Sequence, residues 1–122
     1  MPPRNLEAVA KATLESIVAS RNVMMYNVGI TMDANRRRRQ YARDSMPKPW
    51  NHLAFFAFGL TLSQAQDLEK TLFEHCSNSD KRGFLYRKYS PVKAGPYRKS
   101  SGGRADDGEP IHAVYIAWCD PD

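Results

Sequence analysis

Glu69 stands in the run LSQAQDLEKTLFEHC, where a helix turning about 100° per residue places it on one arc with Leu62, Ala65, Leu68, Leu72, Phe73 and Cys76. A carboxylate inside an apolar arc costs several kcal/mol unless it is paired, hydrogen-bonded or bound to a metal. The position therefore implies either an ion pair at the edge of the core or a metal ligand or acid–base group lining a cleft. A second unusual cluster begins where the apolar stretch MYNVGIT runs out: Arg36, Arg37, Arg38 and Arg39 are consecutive. Guanidinium groups present planar, bidentate donors that match phosphate. Arg37 and Tyr41 are four residues apart, so on a helix they share a face and reach one phosphate together, unless Tyr41 packs inward with Arg37 laid over it. The chemistry these residue types suit is phosphate chemistry.

The charge distribution agrees. The 122-residue chain carries a net charge of +5, and its cations fall in two separated blocks. Residues 36–48 hold Arg36, Arg37, Arg38, Arg39, Arg43 and Lys48 against Asp44 alone, and residues 81–104 hold eight Lys and Arg with no acid. Two such blocks suggest a surface that tracks a polyanion. In the second, Tyr86, Tyr89 and Tyr97 are interleaved with Arg87, Lys88, Arg98 and Lys99, a mixture suited to base stacking and phosphate neutralisation. Nucleic acid, DNA first, is the expected partner, with Arg36, Arg38, Arg39, Arg43, Arg87, Lys88, Arg98 and Lys99 as its backbone contacts.

The elements that would position these residues can be read along the chain. Residues 5–19 form an amphipathic helix, with Leu6, Val9, Ala10, Thr13, Leu14 and Ile17 on one side. Residues 22–30 read as a strand, and Asp33 caps a helix running to about Asp44, ahead of Pro47 and Pro49. HLAFFAF, residues 52–58, suits a strand buried on both faces, broken by Gly59. Thr61 or Ser63 then caps the helix of Glu69, with Gln64 or Gln66 completing a capping box. Phe84–Tyr89 is a strand or an aromatic-basic loop, residues 90–110 a mobile loop rich in Gly, Pro and Ser, and residues 111–119 a closing strand. The length is that of a single domain, 1–122, with a core that needs no disulfide.

Cys76 and Cys119 lie far apart and belong to no CxxC, so reduced thiols are expected; with His75 and His112 they match no standard zinc spacing. No apolar run approaches a membrane span and the N-terminus has no apolar signal core. A cytoplasmic protein, or a nuclear one in a eukaryote, is expected, with no membrane partner.

A strand ending V-G-I-T, a basic helix, an apolar strand and a helix reading L-T-L-S-Q-A-Q-D-L-E-K-T-L together resemble the GIY-YIG endonuclease family, over roughly Tyr26 to Cys76. The resemblance matches Gly29 to the glycine closing the family's second strand, Arg37 to its catalytic arginine, Tyr41 to the Tyr or His one turn later, and Glu69 to its metal-binding glutamate. It implies Mg²⁺ (or Mn²⁺) held by Glu69, Arg37 stabilising developing charge, and Tyr41 or Tyr26 positioning or activating water. The implied activity is metal-dependent hydrolysis of DNA phosphodiesters.

Two departures matter. The second-strand tyrosine falls at Asn27, and Tyr26, one residue early, serves only if the strand is bulged. The region upstream, where a Gly-Ile-Tyr strand belongs, is the amphipathic helix. Ala113-Val114-Tyr115-Ile116 looks like a degenerate version of that strand, and if it pairs beside residues 24–30 the fold is circularly permuted and Tyr115 is the absent tyrosine. The expected fold is a small α/β (α+β) domain, a mixed sheet of three to four short strands flanked by three helices. The alternative function is a fold of the same kind that has lost catalysis and serves as a nucleic-acid-binding or protein-interaction module.

Overall fold

The computed structural model of the protein describes residues 6–33, 35–36, 52–89 and 110–119. The amphipathic start becomes helix α1 (Leu6–Val18), which buries Ala10, Leu14 and Val18 along one stripe. After a turn, the alternating stretch becomes strand β1 (Met25–Thr31), three residues later than its sequence suggests. Tyr26, Val28 and Ile30 are buried, while Met25, Asn27 and Gly29 lie on the other face. The expected cap after β1 is present: Asp33 Oδ1 accepts from the Arg36 amide at 2.9 Å. Asn35 and Arg36 open the helix, and its continuation to Asp44 lies outside the described residues.

Strand β2 (His52–Leu60) and strand β3 (His112–Cys119) complete the sheet, in the order β1-β3-β2, with β3 antiparallel to both neighbours. The sheet was expected to be mixed; its ladders are antiparallel, and the parallel element is an isolated bridge between Tyr26 and Tyr89 on the other edge of β1. β1 and β3 pair without interruption from Met25–Cys119 to Thr31–Ala113. β2 instead slips register twice against β3, between Phe55 and Ala57 and between Ala57 and Leu60. Each slip is a bulge that reverses the alternation of faces. Gly59, at φ 65°, takes a left-handed conformation inside the second one, so it bends the strand rather than ending it. Consequently Ala57 and Leu60, three apart, both enter the core, and Phe58 between them is 57 % exposed. The expectation that this segment is buried on both faces therefore fails at Phe58.

Helix α2 (Leu62–Ser77) starts at a complete capping box. Thr61 Oγ1 accepts from the Gln64 amide and Gln64 Oε1 accepts from the Thr61 amide. α1 and α2 cover the face of the sheet that carries Tyr26, Val28, Ile30, Val114 and Ile116, and these residues form the core with Leu14, Val18, Leu68, Leu72 and Cys76. Across the helix pair, His75 Nε2 meets Glu15 Oε1 at 2.9 Å. Phe84–Tyr89, read as a strand or loop, is instead a short helix α3 (Phe84–Lys88) that ends at the Tyr89 bridge. The turn amide of Gly83 bonded to Asp80 sets this helix off, and burial of Leu85 and stacking of Tyr89 on Tyr26 hold it. Among the described residues no helix is long and apolar enough to cross a membrane.

Candidate functional site

Six of the expected site residues, Tyr26, Arg36, Glu69, Arg87, Lys88 and Tyr115, lie at definable places in this fold, and they do not form one cluster. Glu69 sits two turns into α2 and is only 7 % exposed, as its place in the apolar arc implied. Thr71 and His75 of the same helix meet Glu7 and Glu15 of α1, so at about 100° per residue Glu69 faces the flank turned away from α1. Arg36 is exposed at the first turn after β1. Arg37, Arg38, Arg39, Tyr41, Arg43, Arg98 and Lys99 lie outside the described residues.

The tyrosines separate by strand parity. Tyr26 does not serve through a bulge, because the β1–β3 ladder is unbroken at its position. Its ring points into the core, wholly buried, and its hydroxyl donates to the Leu85 carbonyl at 2.7 Å. Burial, then the neighbouring Cys76, raises the Tyr26 pKa far above its ordinary value. A hydroxyl so placed neither titrates in the working pH range nor reaches solvent, which removes Tyr26 from the candidate general bases. Tyr89 stacks on it with ring centroids 5.0 Å apart, so this member of the aromatic-basic run is a core residue rather than a base-stacking one.

Tyr115 occupies the opposite face. The closing strand does pair beside β1, with Tyr115 directly across from Gly29 and Val114 across from Ile30. A Cβ built on Gly29 would meet the Tyr115 hydroxyl at 2.6 Å, so the absence of a side chain at Gly29 is what admits the ring. The sheet thus lies between the Tyr115 ring and α2, and Tyr115 and Glu69 are carried on opposite sides of it.

Among the cationic candidates, Lys88 is already committed. Its ammonium donates to the carbonyls of Val18 at 2.8 Å and Ser20 at 3.0 Å, closing the C-terminal end of α1 where a positive charge is favoured. Desolvation, then the adjacent Arg87 charge, lowers its pKa. Lys88 is therefore a structural cap and not a phosphate contact, whereas Arg36 and Arg87 remain exposed.

The metal that the resemblance implies is a hard cation that prefers oxygen donors and is often held by one or two carboxylates, with water and substrate phosphate completing its shell. The Glu69 carboxylate fits that minimal mode. Among the described residues no three His, Cys, Asp or Glu side chains gather into a cage, so His75, Cys76, His112 and Cys119 make no zinc centre.

Two features escaped the sequence. His112 is wholly buried at the start of β3, and among the described residues neither of its ring nitrogens has a hydrogen-bond partner; a lone His before an apolar strand carries no signal of this. The second is an aromatic series on the far face of the sheet, Phe58 against Phe55 at 4.9 Å and Phe55 against Tyr115 at 6.1 Å between centroids. The odd spacing of Phe55 and Phe58 hid it, and Gly59 was the available hint of a bulge.

No protein-family model, curated protein or solved structure matches this chain.

Proposed function

We propose that this chain is a GIY-YIG-like nuclease in circularly permuted order that hydrolyses DNA phosphodiesters with Mg²⁺ or Mn²⁺. The observation that carries the reading is the seating of β3 beside β1, with Tyr115 opposite Gly29. It supplies from the C-terminal end of the chain the partner strand that the resemblance lacks upstream of β1. The buried carboxylate of Glu69 on the helix that follows β2 adds to it.

In this reading Glu69 holds the metal, which when bound polarises the scissile phosphate. Arg37 stabilises the charge that develops as water adds to phosphorus and the P–O bond to the leaving oxygen breaks. Tyr41, four residues beyond Arg37 in the sequence, positions the attacking water. Tyr115 secures the glycine end of β1 rather than joining Glu69, since the sheet separates the two. Arg36 and Arg87, with the cations at 38, 39, 43, 98 and 99, neutralise flanking phosphates and give binding a steep salt dependence.

The test is cleavage of supercoiled plasmid with Mg²⁺ or Mn²⁺ by the wild type and by Glu69→Gln. Cutting by the wild type, lost in Glu69→Gln while DNA binding persists, supports the proposal. Salt-sensitive binding with no cutting by the wild type establishes the non-catalytic binding module instead. Absence of binding to DNA and RNA at low salt overturns both.

A further inference from the structure

We propose that Phe58, Phe55 and Tyr115 form a stacking platform for an unpaired base of single-stranded DNA. This inference rests on the nucleic-acid part of the proposed function and not on its catalytic part.

The platform is built by the two bulges of β2. In an unbroken strand residues three apart face opposite ways. Phe55 pairs with Tyr115 and looks to the far face of the sheet, so Phe58 would look into the core. The slip between Phe55 and Ala57 reverses that parity, sends Ala57 inward and turns Phe58 to the side of Phe55. The second slip, made with Gly59 at φ 65°, returns Leu60 to the core. Phe58 is left 57 % exposed while its ring rests on Phe55 at 4.9 Å, tilted by 36°. Phe55 in turn meets the edge of Tyr115 at 6.1 Å and 68°. An exposed ring seated on a second, half-buried ring presents an aromatic surface to solvent above the sheet.

The chemistry of the occupant follows from that surface and from charge. Every base has a π-face, and stacking on aromatic side chains is the sequence-tolerant mode by which single strands bind. A duplex keeps its faces stacked internally, so an unpaired base is the form that fits. The chain has a net charge of +5, and one basic block, residues 36–48, leads directly into β2. A chain of net positive charge favours a polyanion as the carrier of that base.

The test is equilibrium binding of an oligothymidylate of about 15 nucleotides and of a blunt duplex hairpin of equal charge, at two salt concentrations, by wild type, Phe58→Ala and Phe58→Trp. Phe58 is exposed, so both variants keep the fold, which thermal melting verifies. The proposal expects Phe58→Ala to bind the single strand about 5- to 30-fold more weakly, with unchanged duplex affinity and an unchanged salt slope. Phe58→Trp retains single-strand affinity, and its added fluorescence is quenched on binding. Equal single-strand affinity of wild type and Phe58→Ala overturns the proposal, as does equal weakening on both DNAs, whether or not the wild type cuts plasmid. A wild type that cuts nothing but shows the selective Phe58 effect leaves the platform standing and removes the nuclease.

Discussion

Tyr115 covers Gly29 so closely that a Cβ on the glycine would lie 2.6 Å from the tyrosine hydroxyl and 2.7 Å from its Cζ. The glycine therefore answers to a packing demand from a strand more than eighty residues away, not to a turn. The resemblance made Gly29 the glycine that closes a strand. In the fold it sits within β1, at a point where the chain continues to Thr31.

Gly29→Ala should destabilise the protein by about 1–3 kcal/mol, since the ring is rigid and is braced by Phe55. The cost should shrink when Tyr115 is also truncated, and urea denaturation of the double mutant Gly29→Ala/Tyr115→Ala against the two single mutants measures that coupling. Strict additivity would mean that the close approach carries no energy.

Thr61→Ala removes half of a reciprocal cap at the start of α2. A loss of about 1 kcal/mol is expected in chemical denaturation. Thr61→Ser, which keeps the accepting oxygen, should recover most of it.

Lys88 and Arg87 are neighbours with different duties. Lys88→Met should lower stability by about 1–2 kcal/mol, because two carbonyls at the end of α1 lose a charged donor. It should leave the salt dependence of DNA binding unchanged. Arg87→Ala should do the reverse, reducing the slope of log affinity against log salt by about 1 with no loss of stability. Binding titrations at several salt concentrations, alongside melting curves, separate the two.

Burial pushes the Cys76 thiol from its ordinary 9.0 up to about 11; the Tyr26 hydrogen bond opposes the shift and the Glu15 charge adds to it. Between those values the folded chain keeps a proton that the unfolded chain has released. Folding stability is therefore fully present below pH 9.0 and falls as pH rises toward 11. The Tyr26 hydroxyl, shifted in the same direction by its burial, reinforces the fall at still higher pH. Denaturation midpoints across this range measure the slope, and a thiol reagent at pH 8 should label Cys76 only on unfolding.

Local features were legible without coordinates where neighbours in the chain decide them. The Asp33 cap, the Thr61–Gln64 box and the burial of Glu69 follow from periodicity or from contacts within four residues, as do Ala10 and Leu14 on the α1 stripe, whereas Val9 and Thr13, read onto that stripe, are exposed and Val18 is buried in their place. Phe84–Lys88 was not legible, because its aromatic and basic residues suit a strand or a loop equally well, and its helical form depends on Tyr89 finding Tyr26.

What the sequence determined by itself is the chemical inventory: a carboxylate on an apolar arc, arginines behind a glycine-bearing strand, two basic blocks, and the period of each main element. Which of those residues meet was decided only in three dimensions. Strand parity sent Tyr26 inward to the Leu85 carbonyl and Tyr115 to the far face, and the unbroken β1–β3 ladder left no bulge to exchange them. Two bulges in β2 turned Phe58 outward, and a long ammonium side chain carried Lys88 back to α1. The physical reason is the range of the forces involved. Periodicity is a property of one segment, whereas register, bulge position and the partner of a long side chain depend on which distant strand or helix end lies beside it.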